Sequence, residues 1–183
     1  MMFSLFFSCG QKHFSKSDYT FFDKNFVLTP ESVLRTDGVY VLSNIWTDEN
    51  GGTEKKPELH KFYKFYSTGQ CNLILDPDKK IKTDQEYKDA VKQSTDGSKD
   101  KRATLFEAYY KLKEDKIIIQ GIVHPVKQFE YKYGYIYKNT LVIVKATHEG
   151  KGKFEDKYFT DYYKEYYSFI ALDSSEMNSS PNW

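Results

Sequence analysis

A chain of 183 residues suits a single domain of ordinary size. Its 27 basic and 26 acidic side chains leave a net charge of +1, without the basic excess a nucleic-acid-binding protein needs. With two cysteines, Cys9 and Cys71, neither a disulfide framework nor a cysteine-built zinc site can form.

The chain begins Met-Met-Phe-Ser-Leu-Phe-Phe-Ser-Cys-Gly, an uncharged apolar run ending in a small residue directly before Cys9. A secretory signal needs a basic start, an apolar middle and small residues at the cut. The middle is here and the basic start is not, so this reading places the true start upstream or the leader trimmed. The run is too short to cross a bilayer as a helix, and no other stretch approaches that length. Residues 11–18 are polar and aperiodic, as suits a tether. Ser8-Cys9-Gly10 resembles the lipobox of bacterial lipoproteins. Phe6 and Phe7 depart from the usual pattern in the looser manner of Bacteroidetes-type bacteria. The resemblance implies cleavage after Ser8, acylation of Cys9 with palmitate-type chains, and a membrane anchor. Gly10 is not the Asp that holds such proteins at the inner membrane, and no acidic surface-export cluster follows. The implied address is the outer membrane, facing the periplasm.

Residues 10–30 read as tether and irregular lead-in. Thr29 as N-cap and Pro30 at the first helical position predict one turn of helix over 31–35. Asp37-Gly38 then opens a strand over 39–46, and the Asn50-Gly51-Gly52 region is a loop. Strands over 60–66 and 71–75 form a hairpin about a glycine turn. The charged stretch 76–102 breaks the pattern. Within it Tyr87, Ala90 and Val91 fall at helical spacing behind Thr83, which predicts a short cap-initiated helix outside the sheet.

Alternation resumes over 104–113, with Phe106, Ala108, Tyr110 and Leu112 on one face. Glu114-Asp115 turns the chain into 116–120. Phe129, Tyr131, Tyr133, Tyr135 and Tyr137 occupy every second position of the next strand, and Lys138-Asn139 turns it into 140–145. A Gly- and Lys-rich stretch precedes a last aromatic strand within 158–170. The Ser- and Asn-rich end reads as frayed.

Strand after strand joined by short turns predicts a mainly β fold, an antiparallel up-and-down barrel of about eight strands. Closure removes exposed edges, and eight strands leave an interior that is either filled or holds one small ligand. Asp37-Gly38-Val39-Tyr40 is similar to the Gly-x-Trp of the lipocalin-like, or calycin, group, with Tyr40 in place of the tryptophan. The hairpins over 109–119 and 135–143 resemble those of small bacterial lipocalin-like lipoproteins. Thr160-Asp161-Tyr162 matches a second lipocalin motif in letters but comes too late in the chain, and is read as coincidence. The organisation expected is a signal peptide over 1–8, a lipidated tether over 9–30, a barrel over 31–172 and a disordered tail over 173–183.

The chain has 16 Tyr and 14 Phe, an excess that first suggests packing in an amphipathic sheet. The sharper reading is a ring-lined cavity for a small apolar or amphipathic ligand, bounded by Tyr40, Trp46, Phe106, Tyr110, Tyr131, Tyr133 and Tyr135. The alternative is an envelope interaction or assembly protein with a packed core, meeting a protein partner through its outer face or the 76–102 insertion. No nucleophile elbow, phosphate loop or metal-protease motif is present, so no enzyme, catalytic residue or cofactor is expected. His13, His60, His124 and His148 are scattered, so a metal site from His60, His124 and a carboxylate ranks below the reading of none. Cys71 reads as a small buried apolar side chain.

Overall fold

The computed structural model describes residues 15–96, 104–123, 128–160, 162–172, 181 and 183. The leader with Cys9, His13, His124 and most of the Ser- and Asn-rich end lie outside the described residues.

The strands are β1 (Gly38–Thr47), β2 (Glu54–Lys55), β3 (His60–Phe65), β4 (Gln70–Asp76), β5 (Thr104–Lys113), β6 (Lys116–Val123), β7 (Gln128–Tyr137), β8 (Thr140–Thr147) and β9 (Tyr163–Ala171). They form one sheet in the order β2-β1-β3-β4-β5-β6-β7-β8-β9, and β1 pairs again with β9. Eight strands, β1 and β3 to β9, therefore close into an antiparallel up-and-down barrel, with β2 a short extra strand beside β1. Closure depends on a tight seam. Gly38 opposes Ala171, and a Cβ at Gly38 would collide with the Ile170 carbonyl oxygen. The turns at Glu114-Asp115 and Lys138-Asn139 fall where the sequence places them. Glu114 and Lys138 carry φ of 58° and 53°, the sign that two-residue hairpins demand at their first position.

The insertion after β4 holds helix α1 (Asp84–Asp96). Its start is a reciprocal cap. The Glu86 carboxylate accepts from the Thr83 amide at 2.9 Å, and the Glu86 amide donates to Thr83 Oγ1 at 3.4 Å. Tyr87, Ala90 and Val91 are buried against Val39, Phe62 and Ile74 on the outer face of the sheet. His60 fastens the helix laterally, its ring bonded to Asp76 Oδ2 at 2.8 Å and to the Tyr87 hydroxyl at 3.0 Å. Thr83→Ala should cost about 1 kcal/mol, read as a lower urea midpoint at unchanged slope.

No helix forms over 31–35. The chain there makes a turn, with the Ser32 amide donating to the Thr29 carbonyl at 3.0 Å. Tertiary partners take the backbone groups a helix would need: the Arg35 amide donates to the Tyr40 hydroxyl at 3.0 Å, and Lys64 Nζ donates to the Thr36 carbonyl. Leu34 is drawn into the barrel core. Part of the segment read as tether is also packed. Tyr19 and Phe21 are buried, and the Phe21 amide donates to Gln120 Oε1 at 2.9 Å. At the far end of the chain, Trp183 packs edge-on against Tyr109 at 5.7 Å and accepts a hydrogen bond from Gln70 through its carbonyl.

The two ends of the barrel differ. At one end lie the hairpins that pair Phe65 with Cys71, Lys113 with Lys116 and Tyr137 with Thr140. Phe26, Leu28 and Leu34 cross that end and pack on Tyr40, Phe65, Cys71 and Tyr110. Cys71 is fully buried, and burial pushes its thiol far above the usual range, which fits an inert core side chain. The opposite end, where His60 meets Asp76 and Val123 meets Gln128, has no such plug among the described residues.

Candidate functional site

At the unplugged end the barrel interior is hollow and mixed in character. One recess of ≈ 350 Å³ is walled by Leu59, Leu73, Leu75, Phe106, Ile119 and Val123, with Ala108 and Gly121 in its lining. A second, of ≈ 440 Å³, is lined by Ile143, Val144, Thr160, Tyr162 and Tyr163. Lys61 and Lys132 line both recesses, so the two chambers meet at a pair of cations. Volumes in this range suit a small ligand. A third recess, ≈ 520 Å³, lies outside the plugged end. Its described lining carries Glu31, Glu114 and Asp115 and no cation.

Strand alternation brings these charges indoors. Lys61 is in step with Tyr63 and Phe65 on β3, Lys132 with Gly134 and Ile136 on β7, and Glu165 with Tyr163 and Tyr167 on β9. Lys61 Nζ donates to Glu165 Oε1 at 2.6 Å. The Tyr163 hydroxyl donates to the same oxygen and the Tyr167 hydroxyl to Oε2, each at 2.5 Å. Burial pushes the Glu165 carboxyl up. The Lys61 ammonium and the three hydrogen bonds outweigh it, and the net shift is downward. Glu165 is thus ionised and fully engaged.

Lys132 is placed differently. Its ion pair among the described residues is to Glu130, at 3.5 Å. Burial works against its charge, but Tyr63, Glu130 and Glu165 outweigh burial, so its pKa is raised and the ammonium persists. Tyr63 is 1 % exposed, and the Lys132 ammonium faces its hydroxyl oxygen, while the hydroxyl proton has no acceptor among the described residues. Burial pushes that hydroxyl up to about 12, which keeps it a neutral donor at ordinary pH.

The seven rings expected to line a cavity separate into three groups. Phe106 lines the first recess. Tyr40 and Tyr110 point inward but belong to the solid core at the plugged end. Trp46, Tyr131, Tyr133 and Tyr135 lie on the outer face, which inverts the expected side of β7. The cause for β7 is that its outer face is itself buried. Tyr19, Phe21, Tyr158 and Phe159 cover Tyr131 and Tyr133, and Tyr135 packs against that cluster. Tyr133 stacks on Tyr158 at 4.9 Å. The cause for Trp46 is a bulge between Leu42 and Asn44 that moves Ile45, not Trp46, onto the inner face. The indole instead donates to the Gly52 carbonyl at 2.6 Å.

Reasoning from sequence missed Lys61, Tyr63, Lys132 and Glu165. The signal was present for Lys61 and Glu165, which keep step with aromatic faces, but not for Lys132, which shares its face with Glu130 and Gly134. His60 is bonded to Asp76 and to Tyr87 of the helix, and the described residues contain no cluster of three or more metal-binding side chains.

The fold and site together define a class: a lipocalin-like antiparallel barrel, plugged and solid at one end, hollow with internal charges at the other. No family model, no curated protein and no solved structure matches the chain.

Proposed function

We propose that this chain is a binding barrel whose hollow end takes a small amphipathic ligand, the apolar part in the Phe106 recess and the polar part toward Lys61 and Lys132. The observation that carries this reading is a recess with a largely apolar lining, in which Lys61, Lys132, Glu107 and Glu130 are the charged members. Empty apolar surface of this kind gains by covering, at roughly 25 cal/mol per Å². The test is saturable uptake of the neutral probe Nile red and its displacement by decanol. Gly121→Leu should abolish uptake with an unchanged melting temperature. A Cβ at Gly121 meets only the Ala108 Cβ within 4 Å, at 3.7 Å, and Gly121 lines the recess, so the added side chain starts in ordinary contact and extends from that wall. No saturable uptake by the folded wild-type protein would sink the reading.

The same proposal places the barrel outside the cytoplasm, tethered by a lipidated Cys9 at the outer membrane. Ser8-Cys9-Gly10 supports this. In a bacterial host, a clickable palmitate analogue should label the chain, and Cys9→Ser should remove the label. Labelling that persists in Cys9→Ser would refute lipidation at this residue.

A further inference from the structure

We propose that Lys132 and Tyr63 form an anion subsite at the inner end of the apolar recess, so that the ligand is a short amphiphile ending in a carboxylate. This rests on the binding reading above and adds the chemistry of the head group.

A buried charge is tolerated when it is paired and hydrogen-bonded. Lys61 meets that condition through Glu165. Glu165 in turn has both oxygens engaged, by Lys61 and Tyr163 on one and Tyr167 on the other. It has little left to offer Lys132. Glu130, two residues along the same strand face, reaches Lys132 only at 3.5 Å. That is long for a charge-assisted bond, which settles near 2.7–2.9 Å as a rough rule.

Beside Lys132 stands the buried Tyr63 hydroxyl, whose oxygen faces the ammonium and whose own proton has no acceptor among the described residues. The Lys132 ammonium lies 5.9 Å from the Tyr63 ring centroid. Two donors therefore border one recess; Glu165 is committed, Glu130 stands at 3.5 Å, and burial pushes up the carboxyl of Glu107, the other acidic residue of the lining. What the pair lacks is an acceptor with two oxygens and a negative charge. A carboxylate supplies both. A neutral hydroxyl would satisfy one donor and leave the charge as it is. An amine would add a third donor next to a cation. Apart from Lys61, Glu107 and Glu130 the adjoining walls are aliphatic or aromatic, and ≈ 350 Å³ lies at the small end of ligand cavities, so the apolar part is short.

The test compares three ligands with one tail, decanoate, decanol and decylamine, by isothermal titration calorimetry at neutral pH. Wild-type protein should bind decanoate about tenfold more tightly than decanol, the size expected of one hydrogen-bonded charge pair. Lys132→Met should bring that ratio to about one, and Tyr63→Phe should reduce it roughly fivefold. Lys132→Gln, which keeps a donor without the charge, should also lose the preference, and melting curves identify any variant that fails to fold. Equal wild-type affinity for decanoate and decanol overturns the subsite while leaving the binding barrel standing. So does a preference for decylamine, or a decanoate preference that survives Lys132→Met. Binding of none of the three by folded wild-type protein overturns the binding reading itself.

Discussion

Replacing Tyr110 with alanine should destabilise the barrel by about 3–5 kcal/mol, the range for truncating a buried aromatic ring. Tyr110 is fully buried at the plugged end. Its ring meets Phe65 edge-on at 5.3 Å and Phe26 at 5.4 Å, so it joins the barrel wall to the segment that crosses the opening. Its hydroxyl donates to the Tyr66 carbonyl at 2.7 Å. Tyr110→Phe separates the two contributions. It keeps the ring and removes the hydrogen bond, and should cost about 1 kcal/mol or less. The Tyr66 carbonyl would retain the Gly69 amide, at 3.2 Å, which limits that loss. Urea unfolding followed by far-ultraviolet circular dichroism reads both. A loss under about 2 kcal/mol for Tyr110→Ala would mean that Phe26 and Leu34 can collapse into the space, and that the plug is not part of the solid core.

That plug marks the limit of what alternation alone reveals. Period-two patterns say which residues share a face, and they located β5, β7 and both two-residue turns. They do not say which face is inward when both faces are buried. On β5 the apolar even face turned inward, as expected. On β7 the even face carries Glu130, Lys132 and Gly134, which looks like solvent-facing surface in isolation. Its neighbours decide otherwise. Ile119 pairs with Lys132 and Ile117 with Gly134, and both isoleucines belong to the interior. The tyrosine face is left outward, and buried, because Tyr19, Phe21, Tyr158 and Phe159 come from parts of the chain that show no regular period. Irregular segments carry no periodicity signal, so their packing partners could not be assigned from the sequence. The same is true of Leu34, whose helix-like context gave way to tertiary hydrogen bonds.

The interior charges then set how the open end is divided. A barrel of this size filled with aliphatic side chains throughout would have no inner boundary. Here Lys61, Lys132 and Glu165 separate a solid half from a hollow half. In the binding reading proposed above, the charged groups would meet the polar end of a ligand and the apolar lining its tail. Stability alone does not favour such an arrangement, since well-packed hydrophobic replacements of a buried ion pair are often neutral or better.

Glu165→Leu tests that division, and should cost about 3 kcal/mol or more, because it strands the Lys61 charge and two tyrosine hydroxyls together. Lys61 has 15 % and Glu165 12 % of the side chain exposed, so water offers little compensation. Adding Lys61→Met should recover part of the loss. The Tyr163 and Tyr167 hydroxyls stay unpaired in the double variant, so recovery is incomplete. The pH dependence has a defined sign. The Glu165 carboxyl is held below its ordinary value of 4.5 in the folded protein. Its contribution is therefore complete above that value and is lost as pH falls through the lower, folded value. The stability gap between wild type and Glu165→Leu should be constant through the neutral range and narrow in acid below 4.5. A gap that instead widens on acidification would mean that Glu165 is protonated in the folded barrel and that Lys61 is held by something else.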